Sequence, residues 1–299
     1  MDELTDKLKG LGVALVTPFN ADGSIDFNAF EKLIEHVLNG GADYLVVLGT
    51  TAETPTLSAE EKKAIRDFVV KKSAQRVPLI LGYGGNNTTA LVEELRTDDL
   101  SGFDAILSVV PYYNKPCQEG IYRHFAAAVQ ASPLPVILYN IPGRTGVNMS
   151  PETTLRLAND FKGKIIAIKE ASGSLFGIDS ILMKKPEEFC VISGDDALTY
   201  PLMSIGACGV ISVIANAFPK KVSAMVKRCL EGNFDEALKI HHQLSDLNRL
   251  IFVDGNPAGI KALLTDLGIL DNILRLPLIP ARNETKEKLR LAATKIGAL

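Results

Sequence analysis

The amino-acid sequence predicts a (β/α)8 barrel followed by a small all-helical C-terminal domain. Eight short apolar runs rich in β-branched residues recur along the chain, and each is followed by a segment with helical spacing of its apolar residues. These units recur at roughly 20 to 33 residues and fill about 230 residues, which favours a closed barrel over an open sheet of about five or six strands. We therefore expect residues 1–232 to form the barrel and residues 233–299 the helical domain.

The predicted strands are largely uninterrupted by polar residues, as is typical of parallel strands covered on both faces. They comprise residues 12–19, 44–48, 77–82, 105–111, 135–141, 164–172, 189–193 and 209–215. The predicted barrel helices comprise residues 26–39, 58–72, 88–100, 118–131, 151–159, 175–183, 198–205 and 219–230.

Several helix boundaries have signals of their own. Ser58 is followed three residues later by Glu61, the pattern of a capping box, and Ser150 precedes Pro151 at a first helical position. Gly232 is predicted to end the last barrel helix, because glycine readily adopts the left-handed conformation found there.

The C-terminal residues have helical spacing without a strand between the segments. Residues 234–252, 257–267 and 284–296 predict three helices that serve packing or assembly. The adjacent His241 and His242 do not indicate a metal site, because neighbouring residues on a helix face different directions. We expect them to be surface histidines.

Composition excludes several functional classes. The chain has 299 residues, of which 46% are hydrophobic and 22% charged, with a net charge of −3. It has no basic block of the kind that binds nucleic acid, no N-terminal apolar segment and no apolar run near the ~18 residues of a membrane span. We expect a cytoplasmic protein. The cysteines lack the spacing of a zinc site or a disulfide framework and are expected to be buried or inert: Cys117, Cys190, Cys208 and Cys229.

Lys169 is the first candidate for chemistry. It follows four apolar residues at the end of the sixth predicted strand, and α/β folds place their chemistry where strands leave the core. A lysine attacks a carbonyl only in its neutral form, which apolar surroundings favour. The alternative is a lysine that extends from a buried strand into solvent. Residues at the other strand ends must decide between the two.

The second strand ends in Gly49-Thr50-Thr51-Ala52-Glu53. Two hydroxyls and the free backbone N–H groups of such a turn can hold a small carboxylate without a cation. The alternative is that the threonines only satisfy backbone groups of the loop.

The fourth and fifth strands end in aromatic and basic residues. Tyr112 and Tyr113 stand in a proline-bounded loop, where Tyr112 suits packing or an interface and Tyr113 remains open. Tyr139 lies at the tip of the fifth strand, and Arg144 follows it. A phenol can transfer protons, and a guanidinium can bind a carboxylate through two hydrogen bonds.

The remaining strand ends favour structural roles. Asp195 and Asp196 follow the seventh strand without a glycine-rich phosphate loop, so we interpret them as loop or cap residues and not as a magnesium site. The segment Gly255-Asn256-Pro257 is predicted to cap the following helix.

Together, these strand ends place one lysine, two tyrosines, two threonines and one arginine on one rim, without a histidine or cysteine nucleophile. By elimination this set indicates Schiff-base chemistry. The lysine would condense with a keto acid, the hydroxyls would relay protons, and Thr51 and Arg144 would hold carboxylates.

These motifs resemble the dihydrodipicolinate synthase family of pyruvate-dependent aldolases and lyases. The resemblance runs from the segment 13–19 to the segment 255–257, essentially the whole chain. It implies condensation of pyruvate with L-aspartate-4-semialdehyde to give 4-hydroxy-tetrahydrodipicolinate and water, in the diaminopimelate route to lysine. It also implies a homotetramer built from tight dimers, and no metal or organic cofactor.

The resemblance assigns the covalent chemistry to four residues. It implies that Lys169 forms the imine with pyruvate, and that Tyr139 donates and accepts protons. Thr50 would link Tyr139 to Tyr113, which in this family reaches in from the neighbouring subunit. A barrel that binds keto acids without turnover is an alternative of another class, but it would have no need of a poised amine and a hydroxyl relay.

The resemblance assigns carboxylate binding to three further residues. It implies that Thr51 and the backbone at Ile211 hold the pyruvate carboxylate, while Arg144 receives that of the second substrate. N-acetylneuraminate lyase and the keto-deoxy sugar acid aldolases share the lysine and tyrosine but usually lack this arginine. The sequence therefore favours the synthase over these sister enzymes.

The chain departs from the family pattern at a few positions. Ala52 and Thr54 stand where glycine and serine are usual, which raises a question about the backbone dihedral angles of the turn. Ala59, Lys62 and Ala90 stand where lysine-inhibited relatives have two histidines and a glutamate. We do not expect strong feedback inhibition by lysine, because an incoming ammonium would lose its carboxylate partner at Ala90 and meet a like charge near Lys62.

Overall fold

The computed structural model describes residues 2–299 and forms a closed barrel of eight parallel strands in chain order, which confirms the predicted fold class. The strands are β1 (Gly10–Ala14), β2 (Tyr44–Val47), β3 (Leu79–Gly82), β4 (Ala105–Val109), β5 (Val136–Asn140), β6 (Ile165–Glu170), β7 (Cys190–Ser193) and β8 (Gly209–Ser212). The helices are α1 (Asp2–Lys7), α2 (Phe27–Asn39), α3 (Ala59–Ser73), α4 (Thr88–Thr97), α5 (Gln118–Ala131), α6 (Pro142–Thr145), α7 (Pro151–Asp160), α8 (Leu175–Leu182), α9 (Thr199–Ser204), α10 (Pro219–Leu230), α11 (Phe234–Leu250), α12 (Ala258–Asp266) and α13 (Asn283–Lys295).

Strand alternation divides the buried residues between two faces. Ile168 belongs to the core between strands and helices, whereas Tyr139 and Ala167 belong to the core around the barrel axis. Because residues two apart in a strand share a face, Lys169 lies on the axial face with Ala167. Glu170 lies on the opposite face.

The first strand differs from its prediction. The sequence predicts a strand over residues 12–19, but β1 spans Gly10–Ala14. Pro18 has no N–H to donate to a ladder, and Phe19 pairs only with Ile25 through an isolated antiparallel bridge. The apolar residues after β1 are therefore buried in a loop.

The predicted helix signals are confirmed. The Ser58 side chain accepts from the backbone N–H of Glu61, whose carboxylate accepts from the Ser58 N–H. Ser150 accepts from Thr153 N at the start of α7, with Pro151 in the first turn.

The C-terminal helices pack against the barrel. α11 contacts α9 and α10, and the His241 ring stacks on Tyr200 with a centroid distance of 5.3 Å. His242 is exposed, whereas His241 is half-buried. The prediction of two surface histidines is therefore wrong for His241, because its helix face meets α9.

The cysteines differ in exposure. Cys190 and Cys229 are buried, Cys208 is half-buried and Cys117 is exposed, and all four are free thiols. In the described part of the chain, no helix combines the length and hydropathy needed to cross a membrane.

Candidate active site

Lys169 and Tyr139 lie side by side at the carboxyl ends of β6 and β5, where the two residues are partners in the parallel ladder. The Lys169 Nζ is 4.3 Å from the centroid of the Tyr139 ring, and each residue is only 5% exposed. The amine therefore does not extend into solvent. Within residues 2–299 it makes no hydrogen bond and no ion pair, so packing beside the phenol holds it in place.

Gly194, the first residue after β7, leaves the space that the lysine side chain occupies. A Cβ at this position would lie 3.1 Å from the Lys169 Cε and 2.8 Å from the Ala171 Cβ. Both distances are shorter than the roughly 3.5 Å at which carbon atoms pack favourably. The glycine is thus a steric requirement of the site that the sequence analysis missed.

Glu170 fixes the backbone of Lys169 from the opposite face of β6. The Asn140 Nδ2 donates to its two carboxylate oxygens at 3.0 and 3.2 Å, and the Ser172 N–H donates to Oε1 at 3.0 Å. Burial raises the pKa of Glu170, and these hydrogen bonds oppose that effect. The strand end that presents the amine is therefore tied to β5.

The turn after β2 places its two threonines in different settings. Thr50 is exposed, whereas Thr51 is buried and its Oγ1 accepts a hydrogen bond from the Asn256 Nδ2 at 3.0 Å. A hydroxyl that accepts one bond keeps its hydrogen, so Thr51 can still donate to a carboxylate. The prediction that the segment 255–257 caps α12 is only partly right, because Pro257 occupies the cap position but no side chain makes a capping bond.

Ala52 fits this turn without a left-handed backbone. It ends the 3-10 helix Thr50–Ala52, and its carbonyl accepts from the Thr17 Oγ1 at 2.8 Å. The residue with a positive φ is Glu53, at 56°. Alanine in place of glycine therefore needs no strained dihedral angle.

A cavity of about 340 Å³ brings three predicted residues together, namely Thr50, Tyr139 and Arg144. Arg144 lies on α6, directly after β5, and its side chain is exposed. Tyr112, predicted to serve packing or an interface, also lines this cavity. Lys169 does not line it, but its neighbour Tyr139 does. A carboxylate in the cavity would meet a guanidinium suited to bidentate binding.

Tyr113 stands apart from the other predicted residues. It is 85% exposed, has a φ of 73°, and donates its backbone N–H to the Thr145 carbonyl at 3.4 Å. In the described residues its hydroxyl makes no hydrogen bond with Tyr139 or Thr50. One chain alone therefore does not form the relay, which stays a prediction that depends on a neighbouring subunit.

Ile211 lies near the end of β8, beside a buried carboxylate that organises the following loop. Asp196 accepts from the Ser212 Oγ at 2.6 Å and from the N–H groups of Val213 and Ile214 at 2.9 and 3.0 Å. Burial raises the pKa of Asp196, and these three donors oppose that effect.

The interpretation of the aspartate pair as loop or cap residues is therefore only half right. Asp195 is a cap, since its Oδ1 accepts from the Ala197 N–H at 2.9 Å. Asp196 instead shapes the loop after β8. No group of three or more His, Cys, Asp or Glu side chains in the described residues could hold a metal ion.

Comparison with known proteins identifies relatives along nearly the whole chain. The sequence profile described as the Dihydrodipicolinate synthetase family matches residues 7–296. A 4-hydroxy-tetrahydrodipicolinate synthase of Parabacteroides distasonis is 58% identical over 283 residues, which is 95% of each chain. Another of that name, from Phocaeicola vulgatus, is 56% identical over 284 residues, again 95% of each chain.

Solved structures agree with this likeness. The dihydrodipicolinate synthase of Thermotoga maritima is 37% identical, with a TM-score of 0.94 over 97% of this chain and 99% of its own. A monomeric dihydrodipicolinate synthase variant is 36% identical, with a TM-score of 0.95 over 99% of each chain. The profile match, the high identity and the common barrel agree, and the chain belongs to the dihydrodipicolinate synthetase family.

Proposed function

We propose that this protein is a 4-hydroxy-tetrahydrodipicolinate synthase, a lyase that condenses pyruvate with L-aspartate-4-semialdehyde in lysine biosynthesis through diaminopimelate. The observation that supports it most is the buried amine of Lys169, which lies against the Tyr139 ring and has no acidic partner among the described residues. The names of the close relatives support the same reaction.

The first step is formation of an imine at Lys169. The neutral amine attacks the keto carbon of pyruvate, a C–N bond forms, and the carbonyl oxygen leaves as water after protonation. Among residues 2–299 no carboxylate lies within ion-pair distance of the Lys169 Nζ, so the amine is not committed to an ion pair. The phenol of Tyr139, adjacent in the ladder, is placed to transfer the protons.

The pyruvate carboxylate binds at the Thr51 hydroxyl and the backbone near Ile211. Buried polar groups fix both places, since Asn256 holds Thr51 in its turn and Asp196 holds the loop that directly follows β8, the strand of Ile211. Donors fixed in advance need little reorganisation when the anion arrives.

The second step joins the two substrates. Loss of a proton from the pyruvyl methyl gives an enamine, whose carbon attacks the aldehyde and forms the new C–C bond. The amine of the semialdehyde then displaces the lysine, which closes the ring and frees the enzyme. The exposed guanidinium of Arg144 at the cavity receives the semialdehyde carboxylate.

The relay is completed between subunits. Tyr113 is a large aromatic residue that is 85% exposed, which suits a residue that reaches into a neighbouring copy. The assembly is a tetramer of tight dimers. Sedimentation should give about four times the chain mass of 32.3 kDa. A monomer that retains full activity would remove Tyr113 from the relay.

We further propose a division of the chain into two parts and a cellular location for the enzyme. Residues 1–232 form the catalytic barrel and residues 233–299 a helical domain, whose first helix begins at Phe234. The enzyme acts in the cytoplasm on small polar substrates.

Substrate choice tests the proposed function. The purified protein is supplied with pyruvate and aspartate semialdehyde or, separately, with sialic acid or a keto-deoxy sugar acid, and pyruvate is followed. We expect consumption of pyruvate with the semialdehyde and no release from the sugar acids, because Arg144 suits a small carboxylate substrate. Release of pyruvate from a sugar acid would instead identify a sister aldolase.

A further inference from the structure

A fully buried ion pair joins the C-terminal residues to the turn that contains Thr51. The Lys261 Nζ on α12 lies 2.6 Å from the Glu53 Oε1, and both side chains are 0% exposed. The same amine donates to the Ile273 carbonyl at 2.8 Å and lies 4.3 Å from the centroid of the Phe19 ring. No substrate can reach this lysine, so its role is exerted through Glu53.

Glu53 is the residue of the turn that most needs to be held. Its φ of 56° is left-handed, a conformation that costs free energy for residues other than glycine. Its second carboxylate oxygen, Oε2, accepts from the backbone N–H of Arg275 at 3.0 Å. Both oxygens are therefore fixed by groups from the C-terminal part of the chain.

Two other contacts hold the same turn. The Asn256 Nδ2 donates to the Thr51 Oγ1, and the Thr17 Oγ1 donates to the Ala52 carbonyl. Thr51 is thus held directly, and Thr50, which lines the cavity, immediately precedes it. Rotation of the turn would break the bonds to Thr51 and Glu53 together.

Stability alone is a weak reason for such a pair. Taking two charges out of water costs about as much as their attraction returns, and well-packed apolar residues of similar size are often as stable. An apolar pair would not fix the direction of the side chain at position 53. It would therefore not fix the backbone beside Thr51. Specific geometry is what the ion pair contributes.

We propose that Lys261 is a positioning residue: through Glu53 it holds the Thr50–Glu53 turn in the geometry that receives the keto-acid carboxylate. This inference rests on the proposed function, because it assigns the turn to pyruvate binding. The C-terminal helices are then part of the apparatus that binds pyruvate, although none of their residues reaches the reacting atoms.

The test compares three variants: Lys261→Met, Glu53→Gln, and the double variant. Each single change leaves one partner unpaired in a buried site, so Tm should fall. KM for pyruvate should rise about tenfold while kcat stays within about threefold, because binding is weakened and the reacting groups are intact. Glu53→Gln keeps the shape of the side chain, so it provides a folded protein to measure if Lys261→Met does not.

The double variant separates positioning from stability. It leaves no unpaired buried charge, so Tm should recover toward the wild type, whereas KM for pyruvate should stay raised because the turn is no longer held. Recovery of KM together with Tm would show a purely structural role and overturn the inference. An unchanged KM for pyruvate in folded single variants would overturn it as well.

The matched control is Arg290→Gln, which removes an exposed ion pair with Asp266 in the same C-terminal helices. It should change neither KM nor kcat. The wild-type assay keeps the two proposals distinct. Absence of turnover with pyruvate and the semialdehyde contradicts the proposed function, whereas wild-type turnover with unaltered variants contradicts only the positioning role.

Discussion

The two buried lysines, Lys169 and Lys261, show how similar surroundings serve different purposes. Each places its Nζ 4.3 Å from the centroid of an aromatic ring, Tyr139 for Lys169 and Phe19 for Lys261. Lys261 also meets the carboxylate of Glu53 at 2.6 Å, whereas Lys169 has no ionic partner in the described residues.

The difference in partners separates a reactive amine from a structural one. The Lys261 amine donates to the Glu53 carboxylate and to the Ile273 carbonyl, so its hydrogens are committed to partners inside the fold. The Lys169 amine has no such partner in the described residues and lies beside a phenol, so it is free to meet a carbonyl carbon. The ring neighbours match these roles, because Tyr139 has a hydroxyl and Phe19 has none.

The largest expected effect comes from removing the reactive amine. Lys169→Ala should reduce kcat by a factor of about 10³ or more, because no other group can form the imine. Lys261 cannot replace it, since it is fully buried and paired. Steady-state assays with far-ultraviolet circular dichroism as the folding control measure this. Turnover near the wild-type rate would remove Lys169 from the chemistry.

The second-largest effect should come from removing the hydroxyl groups of the two tyrosines. Tyr139→Phe should lower kcat by about 10²-fold at unchanged Tm, because the proton and not the ring is what the mechanism uses. Tyr113→Phe should lower kcat less while leaving the fold intact, since Tyr113 acts only through the relay. Measurement of kcat for both variants at saturating substrate concentrations tests which substitution has the larger effect. Unchanged kcat in either variant would exclude that hydroxyl from proton transfer.

A smaller effect should follow from crowding the reactive lysine. Gly194→Ala adds a methyl group 3.1 Å from the Lys169 Cε and should lower kcat/KM about tenfold by displacing the amine. Gly232→Ala is a control for added bulk, because apart from its chain neighbours no atom of residues 2–299 lies within 4 Å of its Cβ position. Its left-handed φ of 75° should cost stability but not activity. Equal activity of Gly194→Ala and wild type would show that the site tolerates a displaced amine.

At alkaline pH the free energy of unfolding should depend on the paired lysine, Lys261. Burial lowers the pKa of Lys261 to about 8 from 10.5, and Glu53 opposes that shift. Between these values the unfolded chain retains a proton that the folded chain has lost, so the free energy of unfolding rises with pH. The difference between wild type and Lys261→Met, from urea denaturation, should grow with pH by at most about 3 kcal/mol. A difference that shrinks over this range would contradict the lowered pKa.

Local patterns in the sequence were sufficient to predict the barrel and the neighbouring positions of Lys169 and Tyr139. The apolar run before Lys169 and the tip position of Tyr139 follow from strand periodicity, and parallel pairing of neighbouring strands brings the two together. The end of β1 was misjudged, because a buried loop is as apolar as a strand.

Local sequence patterns could not predict the residues that hold the loops of the site in place. Lys261 is separated from Glu53 by 208 residues and Asn256 from Thr51 by 205 residues. A single lysine in an apolar helical segment looks like a surface residue in sequence. Only tertiary packing shows that its amine faces a carboxylate, as it shows that Asp196 faces the loop after β8.

The most direct test of the account is to learn which of the two amines reacts with pyruvate. The wild-type protein is incubated with pyruvate, reduced with borohydride and digested, and the peptides that contain Lys169 and Lys261 are weighed by mass spectrometry. The account predicts a reduced pyruvyl adduct on Lys169 and none on Lys261. An unmodified Lys169, or an adduct on Lys261, would contradict it.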